Sequence, residues 1–124
     1  MEAAARITAE DAGAPRRSGG VLTLGNLLID LDIFEAYVDG VPLELSRRDF
    51  DLLVLLAHHL DRIVSFEEMY QELWHSTSRQ PSSTLAVAVW RLRSKMAGSR
   101  PYQVRSARGR GYGLISSQSH ARHD

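Results

Sequence analysis

The sequence predicts an α+β domain in which a small antiparallel sheet is followed by three helices and a β-hairpin. Three observations carry this reading. Four short apolar-rich runs separated by Gly, Asn and Asp occupy residues 21–46. Apolar residues at helical spacing then recur from Phe50 to Met96. Last comes a glycine-containing basic stretch between two short apolar runs, "VRSARGRGYGLI", at residues 104–115.

At 124 residues, 44% apolar and 24% charged, the chain suits one ordinary globular domain with a modest core. It has no cysteine, which excludes disulfide scaffolds, thiol nucleophiles and cysteine-ligated zinc. The longest apolar run, "DLLVLLA", is far too short for a membrane span, and the first twenty residues lack the apolar centre of a secretory signal. The expectation is a cytoplasmic domain with no membrane partner.

Residues 1–20 carry "GAPRRSGG" and no periodic apolar face, and read as a flexible tail or linker. The runs "VLTLG", "NLLID", "FEAYVDG" and "VPLELS" read as four antiparallel strands, with Asp39–Gly40 a hairpin signal and Pro42 placing the fourth run at an edge or a strand start. Ser46 opens the first helix three residues before Asp49, the spacing of a capping box. Phe50, Leu53, Leu56, Ala57 and Leu60 form its buried stripe, and Asp49 and Asp51 read as solvated first-turn acids. Ser65 repeats the cap before Glu68, and "DRIV" is a short joint between the two helices. A third helix, roughly 83–97, has Leu85, Val89, Leu92 and Met96 inward. Its other side carries Thr84, Val87, Ala88, Arg91 and Lys95, small residues and bases that another surface can approach closely. "YQVRS" and "YGLI" are the strands of the hairpin, with Gly109 and Gly111 supplying positive φ at the turn. Residues 117–124 read as a disordered tail, so the domain is expected over 21–116.

The formal net charge is zero, yet fourteen of the fifteen acids lie in residues 1–72 and none in residues 73–123, which hold nine of the fifteen bases. A field of one sign usually faces a polyanion. The alternative is that these bases face the acids of the first half within the fold. Arg105, Arg108 and Arg110 suit the polyanion reading, because guanidinium groups bind phosphate through paired hydrogen bonds and fit a narrow minor groove.

Three helices followed by a basic hairpin is the layout of a winged helix-turn-helix. The block "LELSRRDFDLLVLLAHHLDRIVSFEEMYQELW", the helix "STLAVAVWRLRSKM" and the hairpin "VRSARGRGYGL" together resemble the DNA-binding domains of OmpR/PhoB-type response regulators over about residues 21–116. The resemblance implies a four-stranded N-terminal sheet, a third helix in the major groove and a wing in the neighbouring minor groove of double-stranded DNA. Carried over by position, Arg91 is the main base-reading arginine and Arg108 the wing arginine, while Trp74, Thr84 and Arg93 hold the backbone. The resemblance also implies tandem head-to-tail binding on direct repeats, and contact with RNA polymerase through the loop from His75 to Ser82.

The helix departs from the family where Ala86, Ala88 and Trp90 replace an acid, a histidine and an arginine. Fewer hydrogen-bonding side chains then face base edges, which leaves relaxed reading, or reading by Arg91, by Val87 on a thymine methyl and by DNA shape. Trp74 can either donate its indole N–H to phosphate or close the core. Trp90 can pack against the wing or sheet, or contact DNA sugars or a second protomer. Relatives usually carry a receiver domain; the chain is expected to be either an excised effector half or a single-domain regulator. No nucleophile–base pair, carboxylate pair or histidine ligand set stands out, so neither an enzyme nor a cofactor is expected. A sequence-tolerant architectural DNA binder and a winged-helix protein-interaction module remain as alternatives to a sequence-specific, nucleoid-associated regulator.

Overall fold

The computed structural model describes residues 16–18, 20–74 and 82–117. Its first sheet contains the four expected strands, β2 (Val21–Leu24), β3 (Leu27–Asp30), β4 (Glu35–Val38) and β5 (Val41–Pro42), all antiparallel. Asp39 and Gly40 both have positive φ and form the two-residue turn that the Asp-Gly pair signals. Pro42 ends the short outermost strand, where its missing N–H costs nothing.

The sheet also carries a fifth strand, β1 (Arg16–Ser18), within the stretch expected to be a linker. It pairs antiparallel with β2 in the register Arg16↔Thr23, Arg17↔Leu22 and Ser18↔Val21. Strand pairing is a main-chain interaction and needs no apolar alternation, which is why composition concealed it. The hairpin cue was present: the residues between Ser18 and Val21 are two glycines. Residues 1–15 and 118–124, which hold most of the two expected tails, lie outside the described residues.

Helix α1 (Arg47–Ala57) begins at Ser46, whose hydroxyl accepts from the Asp49 N–H at 3.1 Å. Phe50, Leu52, Leu53, Leu55, Leu56 and Ala57 are all buried, a wider arc than the expected stripe. The arc is wide because α1 packs against three elements: α2 (Phe66–Trp74), α3 (Ser82–Lys95) and strand β8 (Gly111–Ser116). Cutting a fully buried leucine such as Leu53 or Leu56 to alanine should cost about 2–5 kcal/mol.

The wing is part of a three-stranded sheet. Strand β7 (Tyr102–Ala107) pairs with β8, and β8 pairs on its other side with β6 (Val64–Ser65). The short joint between α1 and α2 therefore contains a strand. The helix cap at Ser65, whose hydroxyl accepts from the Glu68 N–H, directly follows Val64 in that strand.

Asn26 links the first sheet to the segment before the wing. Its side-chain amide donates to the carbonyl of Gly98 and to the carboxylate of Asp39, and its side-chain oxygen accepts from the Arg100 N–H. Its own N–H donates to the Arg100 carbonyl. One turn of the first sheet is thereby tied to the segment that leads from α3 into the wing.

The two wing glycines have different roles. Gly109 has φ +74° and open space around it, in a turn closed by the Arg110 N–H on the Ala107 carbonyl. Gly111 does not have positive φ. A Cβ there would lie 1.8 Å from the Val64 carbonyl oxygen, so the absence of a side chain lets β6 approach β8. Gly109→Ala should therefore cost about 1 kcal/mol. Gly111→Ala should cost about 2–3 kcal/mol through forced separation of the strands. Urea denaturation of the two variants checks the order, and equal losses would contradict the separate roles.

Candidate nucleic-acid interface

The rotation of α3 about its axis decides which side chains face outward. Leu85, Ala88, Val89, Leu92 and Met96 are buried, and Thr84, Ala86, Val87 and Trp90 are exposed. Ala88 is thus not on the open side as expected. It stands three residues after Leu85 and four before Leu92, inside the buried arc, and is 4% exposed. Trp90 is two residues from both Ala88 and Leu92, which turns it to the far side. It is 65% exposed.

Arg91 lies at the margin of that arc, facing α1. Its Nε donates to Asp49 at 3.2 Å and its Nη2 donates to the other carboxylate oxygen at 3.0 Å. Asp49 is therefore not a solvated first-turn acid: it is 2% exposed, and Arg91 engages both of its oxygens. A carboxylate withdrawn from water needs such a partner, and the paired geometry of guanidinium supplies it. These hydrogen bonds, and secondarily the carboxylate charge, raise an already high guanidinium pKa. The Arg91 side chain remains 42% exposed, so its outer edge reaches solvent.

Arg93, two residues on, points the other way. Its Nη2 donates to the Ser106 hydroxyl at 2.7 Å and its Nε to the Val104 carbonyl at 3.4 Å, joining α3 to the wing. Lys95 donates from Nζ to the Glu44 carbonyl at 2.6 Å, at the approach to α1. The cations of α3 are all engaged by the domain's own acceptors.

The wing cations differ. Arg105, Arg108 and Arg110 are exposed, and among the described residues no acid forms an ion pair with them. Of the ion pairs among those residues, one, Arg91 with Asp49, joins the acidic half to the basic half. The alternative in which bases face acids inside the fold therefore holds for Arg91 and not for the wing.

Trp74 closes the core from the end of α2. Its ring packs against Tyr70 at 5.5 Å between centroids, and the Arg48 guanidinium sits 4.5 Å from the ring centroid. Arg48 is an exposed cation that the sequence reading missed, because nothing in the spacing of residues 48 and 74 brings them together. Of the expected polymerase-contacting loop, His75 to Ser82, residues 75–81 lie outside the described residues and Ser82 begins α3. Among the described residues no group of three His, Asp or Glu side chains could hold a metal ion, and no helix is long and apolar enough to cross a membrane.

Residues 40–114 match the family model described as "Transcriptional regulatory protein, C terminal". The transcriptional regulatory protein PrrA of Mycobacterium tuberculosis is 32% identical over 98 residues, covering 78% of this chain and 42% of PrrA. The chain thus spans less than half of that relative. Among solved structures, the DNA-binding domain of Klebsiella pneumoniae RstA, in complex with the RstA box, is 28% identical with a TM-score of 0.69, covering 78% of this chain and 98% of that one. The DNA-binding domain of CpxR from E. coli is 31% identical with a TM-score of 0.66, covering 79% and 98%. With its helices and hairpin in the order its motifs led one to expect, the chain belongs to the family of C-terminal domains of transcriptional regulatory proteins, the OmpR/PhoB type.

Proposed function

We propose that this domain binds double-stranded DNA as the sequence-reading part of a transcription regulator, with α3 in the major groove and the wing in the adjacent minor groove. The observation that carries this is the set of wing arginines that have no acidic partner among the described residues, joined to α3 through Arg93. The likeness to RstA, whose domain is known in complex with its DNA box, supports it.

Each side chain then has a task. Arg108 and Arg110 at the turn enter the narrow groove, where the potential is most negative, and Arg105 and Arg48 neutralise flanking phosphates. Thr84 and Trp74 approach the backbone. Arg93 acts mainly by holding the wing to α3. Arg91 has five N–H groups, of which Asp49 takes one from Nε and one from Nη2. Three remain, enough for a bidentate contact to guanine O6 and N7 while Asp49 holds the guanidinium plane still. Tandem head-to-tail binding on direct repeats, polymerase contact through the His75–Ser82 loop and residence on the cytoplasmic nucleoid complete the reading.

If about five phosphates are neutralised, log K should fall against log salt with a slope of roughly −4 to −5. That is on the order of a 500-fold loss of affinity between about 50 and 200 mM salt. Mobility shifts over that range with a selected and a scrambled duplex test the reading. A flat salt dependence contradicts it, and equal binding to both duplexes favours an architectural binder.

Replacing Arg91 by alanine should weaken the preferred duplex roughly 5- to 150-fold and flatten discrimination at one base position. Arg110→Ala should weaken preferred and random duplexes alike. Because Arg91 also partners a buried carboxylate, thermal melting followed by circular dichroism must accompany the titration. A folded Arg91→Ala domain that kept its site preference would show that the arginine only ties α3 to α1.

A further inference from the structure

The cations of α3 are turned back to the domain: Arg91 to Asp49, Arg93 to the wing and Lys95 to the Glu44 carbonyl. The middle of the outward face is left apolar. Trp90 and Val87 are 65% and 49% exposed, one helical turn apart, with Ala86 exposed beside them. Leaving an indole in water forgoes the burial of a ring that can cover 150–250 Å² in contact, so a large exposed aromatic at the centre of a face suggests a partner.

The surroundings constrain what covers it. Trp90 and the unpaired wing arginines lie on elements joined by Arg93, so the covering surface has to offer an apolar spot flanked by negative charge. The major groove has that composition. Phosphates line its margins, and the thymine C5-methyl is the apolar group among the base edges. An acid-rimmed protein surface has a similar composition but lacks the regular phosphate spacing that a hairpin and a helix face held together can both meet.

We infer that Trp90, together with Val87, reads thymine 5-methyl groups, so that Trp90 is a specificity-determining residue and the preferred site carries thymine where this face meets the groove. The inference rests on the DNA-binding reading above. It adds that the discrimination comes from apolar contact as well as from Arg91.

The test removes the methyl and nothing else. A preferred 30-bp duplex is selected from a random library with the whole chain, then resynthesised with deoxyuridine in place of thymidine, which keeps every base-edge donor and acceptor. Wild-type protein should bind the uracil duplex roughly 4-fold more weakly for each methyl covered. Trp90→Ala, whose side chain contributes little to the core, should melt like wild type, bind the thymine duplex more weakly and lose most of its preference for thymine over uracil. Val87→Ala should lose a smaller part. If wild type binds both duplexes alike, the inference falls while DNA binding stands. If Trp90→Ala keeps the full thymine preference, Trp90 is not the reader. If no duplex is bound at low salt, the DNA-binding reading falls with it, and Trp90 belongs to a protein contact.

Discussion

Two arginines two residues apart hold α3 at one rotation. Arg91 and Arg93 project about 200° apart around the helix, the first to Asp49 in the first turn of α1 and the second to Val104 and Ser106 in the wing. Apolar packing of Leu85, Val89, Leu92 and Met96 pulls α3 onto the core but is non-directional, and would tolerate some rolling. A carboxylate withdrawn from water on one side and a hydroxyl at 2.7 Å on the other would not. The outward identity of Thr84, Val87 and Trp90 follows from this pinning.

Most of the architecture was legible because its signals are local. The serine caps at 46 and 65, the Asp39–Gly40 turn and the helical spacing from Leu85 to Met96 each depend on nearby residues only. Two elements escaped. The strand at Arg16–Ser18 is held by main-chain pairing with β2, and the strand at Val64–Ser65 is too short to show alternation. Gly111 was misread for a similar reason. A glycine in a turn-like string suggests positive φ, whereas here its hydrogen leaves room for a carbonyl from 47 residues earlier in the chain, at Val64.

The candidate site was legible in its composition and less so in its connections. The wing arginines stand out because no acid is near them in sequence and, among the described residues, no acid forms an ion pair with them. Asp49 looked like a first-turn acid because that role and a buried role need the same residue at the same position, and only its contact with residue 91 separates them. Ala88, expected on the open side, is buried because the contacting arc on α3, set by α1 on one side and β7 on the other, is wider than a stripe at spacings of three and four. Arg48 over Trp74 was invisible for the same reason as Asp49.

The wing is not a free flap. Gly111 brings β8 against the Val64 carbonyl, the Phe66 N–H donates to the Arg110 carbonyl, and Arg93 clamps β7 from the other side. The hairpin is therefore built into the start of α2 and the last turn of α3, and its distance from the helix is set by the fold. Helix and hairpin act as the two jaws of a caliper. Any duplex engaged by both must present its grooves at that opening, and one that differs at rest must itself bend or twist to fit. The deformation cost then falls on the nucleic acid, where stacking and flexibility vary with sequence, and a rigid gauge can favour some sequences at positions its side chains never touch.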